Sequence, residues 1–311
     1  MSVSKLHTLG PVVLDTTVIP GIKSLALNTG NEVRVDHASS EPYPRWAAHV
    51  AQRPGFSFST LALKRVLDIV TWPGISIAGL GAKASIYSSK YGEGGIVSSS
   101  SVHRKFVAQE GIIVPRRLSC EFGGDAVLTL DALVTSDGTN NAFVITDTMA
   151  LPTLVDDDSR WTLGPAKLAN ISFGQLVGLD FDFGIDAAAE GSDSDICPTF
   201  GYIRQCRPSL TLRGTDVTML ETTSGGSALD FDADIGTSAN SCFYLRKRTR
   251  GAGYVVDGTA AHLKISMAGV STVQTPIDAR SNERGMITVR FDPMWDGTNA
   301  LVKIETAIAI T

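Results

Sequence analysis

The chain repeats itself, and this constrains its fold more than any other feature of the sequence. Residues Gly92-Glu93-Gly94-Gly95-Ile96-Val97 lie 159 positions ahead of Gly251-Ala252-Gly253-Tyr254-Val255-Val256. At the same offset His103 falls on His262, Lys105 on Lys264, and Asp137-Gly138-Thr139-Asn140 on Asp296-Gly297-Thr298-Asn299. Nearer the N-terminus the offset is 154. There Leu25 matches Leu179, Gly30 matches Gly184, Pro44 matches Pro198, Trp46 matches Phe200 and Arg53-Pro54 matches Arg207-Pro208. Matches kept in order across both halves imply a duplicated unit with a single five-residue length change. The expected organisation is an N-terminal arm (1–16), a first β repeat (17–155), a linker (156–170) and a second β repeat (171–311). The acidic run Asp156-Asp157-Asp158 suits an exposed connection between the repeats.

Within each repeat the hydrophobic period is two. Leu128, Leu130 and Ala132 alternate with Thr129 and Asp131, Phe181 and Phe183 with Asp180 and Asp182, and Leu210 and Leu212 with Thr211 and Arg213. Ile287, Val289 and Phe291 alternate with Met286, Thr288 and Arg290. These are the patterns of half-buried strands, and Asp-Gly at 137–138 and 296–297 marks turns between them. One stretch reads as a helix. Ser59-Thr60 precedes Leu63, Val66, Leu67 and Val70 on one helical face, and Trp72-Pro73-Gly74 ends it. The second repeat has Thr222-Thr223-Ser224-Gly225-Gly226-Ser227 instead, which reads as a loop. The fold class expected is therefore mainly β: two tandem homologous antiparallel β-sandwich or barrel domains, with one short helix in the first.

Composition narrows the function classes. Charged residues are 19% of the chain, which suits surfaces buried against other subunits, and 43% hydrophobic residues can fill two cores without disulfides or metals. A net charge of −5 argues against a protein that grips nucleic acid, but allows one that nucleic acid slides past. The N-terminus lacks the apolar core of a signal peptide and no run reaches the length of a membrane span, so Cys120, Cys197, Cys206 and Cys242 are expected as reduced thiols.

No catalytic centre is recognisable. There is no Gly-x-Ser-x-Gly elbow, and the cysteines lack zinc-ligand spacing. Asp230-x-Asp232-x-Asp234 starts like a calcium loop, but Gly236 is one place late and Ser241 stands at the twelfth position. Gly92-Glu93-Gly94-Gly95 lacks the Lys-Ser/Thr of a phosphate loop and reads as a hairpin. Arg246-Lys247-Arg248-Thr249-Arg250 is expected to be a solvated or subunit-facing hairpin. No cofactor is expected. His103 and His262 stand out because both copies keep them, and a shared hydrogen bond or subunit contact is the expected role.

The stretch Ser136-Asp137-Gly138-Thr139-Asn140-Asn141, the closing Trp295-Asp296-Gly297-Thr298-Asn299 with its alternating terminal strand, and the Pro-rich loops before strand pairs carry a family resemblance. In these features the chain resembles the tail tube (major tail) proteins of long-tailed bacteriophages, in an internally duplicated form. The resemblance covers both repeats in general pattern. It implies a virion structural protein, assembled in the host cytoplasm, whose β-sandwich domains form stacked rings around a DNA channel, with a long loop contacting the next ring. The implied partners are copies of itself and other tail proteins, while genomic DNA passes through without specific binding. Two linked copies closing as a trimer occupy six similar positions, a pseudo-hexamer.

The equivalent Pro-containing segments Asp36–Gly55 and Glu190–Pro208 are expected to include inter-ring or inter-subunit loops, with Arg53, Pro54, Arg207, Pro208, His103 and His262 as subunit-contact residues. Rival readings are a capsid protein with two fused jelly rolls, a baseplate or tail-fibre module, and a polysaccharide hydrolase on a β scaffold. The last needs paired carboxylates that the sequence does not present.

Overall fold

The computed structural model describes residues 7–37, 42–92, 95–97, 102–155, 159–168, 171–173, 175–192, 195–215, 234–235, 241–268, 270–273, 277–278, 285–295 and 297–311. The first half runs β1 (His7–Leu14), β2 (Thr17–Ile19), β3 (Ile22–Asn28), β4 (Asn31–His37), β5 (Pro44–Gln52), β6 (Gly55–Thr60), helix α1 (Leu63–Leu67), β7 (Ile75–Ser76), β8 (Ala84–Gly92), β9 (Gly95–Ile96), β10 (His103–Ala108), β11 (Glu110–Glu121), β12 (Val127–Thr135) and β13 (Phe143–Met149). The second runs β14 (Ser159–Leu168), β15 (Ile171–Phe173), β16 (Leu176–Asp182), β17 (Ile185–Glu190), β18 (Phe200–Cys206), β19 (Ser209–Gly214), β20 (Asp234–Ile235), β21 (Ser241–Thr249), β22 (Gly253–Tyr254), β23 (His262–Met267), β24 (Val270–Val273), β25 (Ile277–Asp278), β26 (Met286–Pro293) and β27 (Val302–Ile308). The fold is mainly β, built of antiparallel sheets, with a single short α-helix among the described residues.

The two halves pair their strands alike. β13-β10-β8-β1-β2 form one sheet in the first half, with β9 beside β8. β27-β23-β21-β14-β15 form its equal in the second, with β22 beside β21. The other layer is β11-β12-β6-β3 in the first half and β24-β26-β19-β16 in the second. The hairpins β4-β5 and β17-β18 stand apart as two-stranded sheets. Registers agree residue by residue. Phe56 lies opposite Ala132 as Leu210 lies opposite Phe291, and Val33 lies opposite His49 as Ala187 lies opposite Ile203. The bulges coincide too, between Leu9 and Val12 as between Leu163 and Ala166, and between His103 and Lys105 as between His262 and Lys264.

Two expectations are corrected by this pairing. Residues 7–14, expected in an arm, form β1, an inner strand paired to both β2 and β8. Residues 159–168, expected in a linker, form its counterpart β14. The cause is burial: Val12 and Leu14 alternate into the core of the first half, and Trp161 and Ala166 into that of the second. The acidic run beside β14 hid this pattern.

The length change is also not single. Pairing partners give an offset of 154 from β1 to β6, 157 at β8, 158 at β9 and 159 from β10 onward. Gly95 is thus equivalent to Gly253 and Ile96 to Tyr254, one place away from the alignment that sets Gly92 on Gly251.

The layers face each other across one continuous core that runs through both halves. Alternation drives this: Leu128, Leu130, Ala132 and Val134 on β12 are buried, as are Phe56 and Phe58 on β6. In the second half the Phe181 ring lies 5.4 Å from Phe243, and Phe173 lies 5.8 Å from Phe291, each pair spanning the two layers. Helix α1 buries Leu63, Val66 and Leu67, and Val70 follows them into the core. Thr60 Oγ1 accepts the Ala62 N–H at 3.0 Å and donates to the Pro20 carbonyl at 2.9 Å, closing the helix entrance. On its other side α1 meets the second half, where Thr306 Oγ1 on β27 donates to Asp68 at 2.5 Å. The counterpart stretch 222–227 lies outside the described residues.

Candidate assembly interface

The Arg-Pro pairs sit at the roots of the two hairpins. A hairpin leaves its sheet after β3 or β16 and must return beside its own exit. Gly30 (φ 60°) and Gly184 (φ 59°) make this possible. A Cβ at Gly30 would stand 2.0 Å from the Arg53 carbonyl oxygen, and at Gly184 1.8 Å from that of Arg207, so only glycine fits. Arg53 N–H donates to the Gly30 carbonyl at 2.9 Å and Arg207 N–H to that of Gly184 at 2.8 Å. The glycine N–H groups donate to Asn28 Oδ1 and Asp182 Oδ1, both at 2.8 Å. Pro54 and Pro208 are buried, while Arg53 and Arg207 are exposed. Arg53 and Pro54 also line a cleft of about 410 Å³ beside Leu133, Ala187, Pro198 and Arg204, where the second hairpin meets the first half.

The histidines lie elsewhere. His103 is 1% exposed and His262 fully buried, so neither presents a surface to another chain in this fold. They share an internal role. Nδ1 of His103 accepts the Lys90 N–H at 3.0 Å, and Nδ1 of His262 accepts the Lys247 N–H at 3.1 Å. Beside them, Lys105 stands 5.8 Å over the Tyr87 ring and Lys264 stands 5.7 Å over Tyr244, a duplicated cation–π contact.

Two arginines of the basic run are paired. Arg246 makes a bidentate contact with Asp257 at 2.7 and 2.8 Å, and Arg248 reaches Asp125 in the other half at 2.9 Å. All four cysteines are free thiols, and burial pushes the Cys120 thiol up to about 12 and raises the others as well. Gly92 and Gly95 belong to the β8-β9 hairpin. Asp230 and Asp232 lie outside the described residues, and Asp234 begins β20.

What joins the halves is a sheet edge. The C-terminal part of β11 pairs with β16, Leu118 opposite Phe181 and Ser119 opposite Asp180, so the two inner layers run on as one sheet. β11 is the outer strand of the first layer on one side, and β16 is equivalent to β3, the outer strand on the other side. The junction is therefore head to tail: two different edges meet. It leaves β3 at one end of the composite sheet and the β20-β24-β25 end at the other.

The second hairpin reinforces this junction. Phe183 N–H donates to the Arg116 carbonyl at 2.9 Å, Ser136 N–H to the Pro198 carbonyl at 2.9 Å and Gln52 N–H to the Ile196 carbonyl at 2.8 Å, while Arg116 Nη1 donates to the Ile185 carbonyl. Ala187, Ile203, Cys197 and Cys206 pack on the core. Arg117–Asp180, Arg213–Glu121 (2.7 Å) and Arg248–Asp125 (2.9 Å) add ion pairs across it.

Sequence reasoning found the hairpin roots but missed the edge. One signal was available. Gly10-Pro11 and Gly164-Pro165 match at the 154 offset, and they would have extended the repeat through both segments taken for arm and linker. Neither a family model nor a curated protein matches the chain.

Proposed function

We propose that the chain is a virion structural protein, the subunit of a phage tail tube, closing in threes into pseudo-hexameric rings that stack around a DNA channel. The observation that carries this reading is the head-to-tail junction. An interface between two unlike edges repeats without end, and it closes into a ring when its rotation divides a full turn. Applying the junction once more sets β3 of one copy beside β25 of the next, with Leu27 opposite Ile277 and Ala26 opposite Asp278, as Phe181 lies opposite Leu118. The edge strands, which would otherwise template aggregation, are then paired.

Three chains of eight inner strands make a barrel of ~24 strands. At a spacing of ~4.8 Å and a tilt of ~40° its backbone diameter is roughly 40–50 Å, wide enough for a lumen that passes duplex DNA. Low charge suits the subunit contacts, and the net negative balance keeps DNA from sticking. Other tail proteins would meet the tube at its ends. Negative-stain imaging of purified protein tests the reading. Stacked rings of pseudo-sixfold symmetry are expected; icosahedral shells, or a compact monomer at every concentration, would overturn it.

A further inference from the structure

The hairpin β4-β5 matches β17-β18 pair for pair from Asn31–Gln52 to Asp36–Trp46 and shares its bulge, between Glu32 and Val33 as between Asp186 and Ala187, but its Val33 and Val35 stand exposed. We infer that it clasps a second copy of this chain, lying on β24 and β26 of the neighbour as β17-β18 lies on β11 and β12 within the chain. The inference rests on the head-to-tail assembly proposed above but not on the tube or its DNA.

Residues directly opposite in a hairpin share a face. In β17-β18 the face that docks carries Ala187, Ala189, Gly201 and Ile203; a Cβ on Gly201 would meet Ile112 of β11 at 3.4 Å. The equivalent face of β4-β5 carries Val33, Val35, Ala47 and His49. Val33 is 50% and Val35 46% exposed, an apolar face left in water.

The described end of the surface it would cover is exposed as well. In the first half Ser136 N–H is held by the Pro198 carbonyl, and Thr135 beside it is buried. The counterparts Met294 and Trp295, at the end of β26, are 40% and 69% exposed. The equivalent of Pro198 is Pro44, so Trp295 N–H is the expected donor to Pro44 of the neighbour. Residue sizes have also changed together. Where Ile112 faces Gly201, the register position of Ile112 is held by Ser271, and the hairpin carries Ala47 in place of Gly201 and Val33 in place of Ala187. Bulk lost on the receiving strand reappears on the clasp, as packing at native density requires.

Cross-linking and disruption test this together. In the full chain, Ala47→Cys with Ser271→Cys is expected to form an intermolecular disulfide on oxidation, because a Cβ at the equivalent Gly201 would stand 3.4 Å from a γ-carbon of Ile112 within the chain. Ala48→Cys with Ser271→Cys, on the opposite face of the hairpin, is expected to form none. Val33→Asp with Val35→Asp should raise the concentration for half-assembly at least tenfold in sedimentation velocity, leaving the circular dichroism of the monomer unchanged, while Arg34→Ala leaves assembly as it was. Rings that assemble without the 47–271 cross-link, or that tolerate both aspartates, overturn the clasp and leave the ring standing. A wild-type chain that never assembles overturns both. A hairpin that instead reaches the next ring gives neither the cross-link nor the loss of single rings, and counts against the clasp.

Discussion

At the residue scale the buried histidines show how a duplicated residue can be read and misread. Repetition marked His103 and His262 as structural, and each does hold one backbone N–H. A surface role did not survive, because a strand residue next to a bulge turns inward or outward on a single residue of register, which the sequence does not display. The internal role makes a prediction. His262→Ala removes the acceptor for the Lys247 N–H inside the core and leaves a cavity, and should cost about 2–4 kcal/mol of unfolding free energy in denaturant melts. His262→Asn, whose Oδ1 stands where Nδ1 stood, should recover about 1 kcal/mol of this. An Asn variant no more stable than the Ala variant would show that filling space, not accepting the hydrogen bond, is what the imidazole does.

At the element scale the legible parts were those where local chemistry and the repeat agree. The turn after β12 is one. Asp137 Oδ1 accepts the N–H groups of Thr139 and Asn140 at 2.9 and 2.6 Å, Oδ2 accepts from Asn140 Nδ2 at 2.9 Å, and Gly138 takes φ 79°. These hydrogen bonds, led by the Asn140 N–H, hold the Asp137 carboxyl down at about 2. A depressed folded value means that the ionised form favours the turn. Its contribution is complete above the ordinary carboxylate range and fades as the pH falls toward 2. Carbon-detected NMR of Asp137 should show a midpoint near 2 that returns toward the ordinary Asp range in Asn140→Ala; a midpoint already ordinary in the wild type would refute the bonding.

Strand β11 was not legible, because Ile112-Ile113-Val114-Pro115 breaks the period of two and the counterpart stretch of the second half carries Pro276. Strand β14 was masked by its acidic neighbour. The increments in offset at β8, β9 and β10 fall in connections, where length varies freely, so an alignment that allows one gap places it a residue wrong.

At the scale of the whole molecule, the junction inside the chain and the junction proposed between chains share a geometry but not a chemistry. Inside, Arg213 lies over Gly178 to reach Glu121, and Arg117 and Arg248 reach Asp180 and Asp125. None of these pairs recurs at the equivalent positions. Arg117 and Asp180 become Pro276 and Ala26, Arg248 and Asp125 become Tyr91 and Arg284, and Arg213 and Glu121 become Ser59 and Arg280. Ser59 is engaged at home, its hydroxyl 2.6 Å from that of Ser24, the counterpart of Gly178. The proposed contact between chains would thus rest on strand pairing and on the apolar faces around Val33, Val35, Met294 and Trp295. Salt screens exposed charges within ~3 Å at 1 M but leaves these terms intact. Raising sodium chloride from 0.1 to 1 M should therefore shift the half-assembly concentration less than about threefold in sedimentation velocity. Assemblies that dissolve over that range would mean that ion pairs, formed at positions the repeat does not mark, hold the copies together.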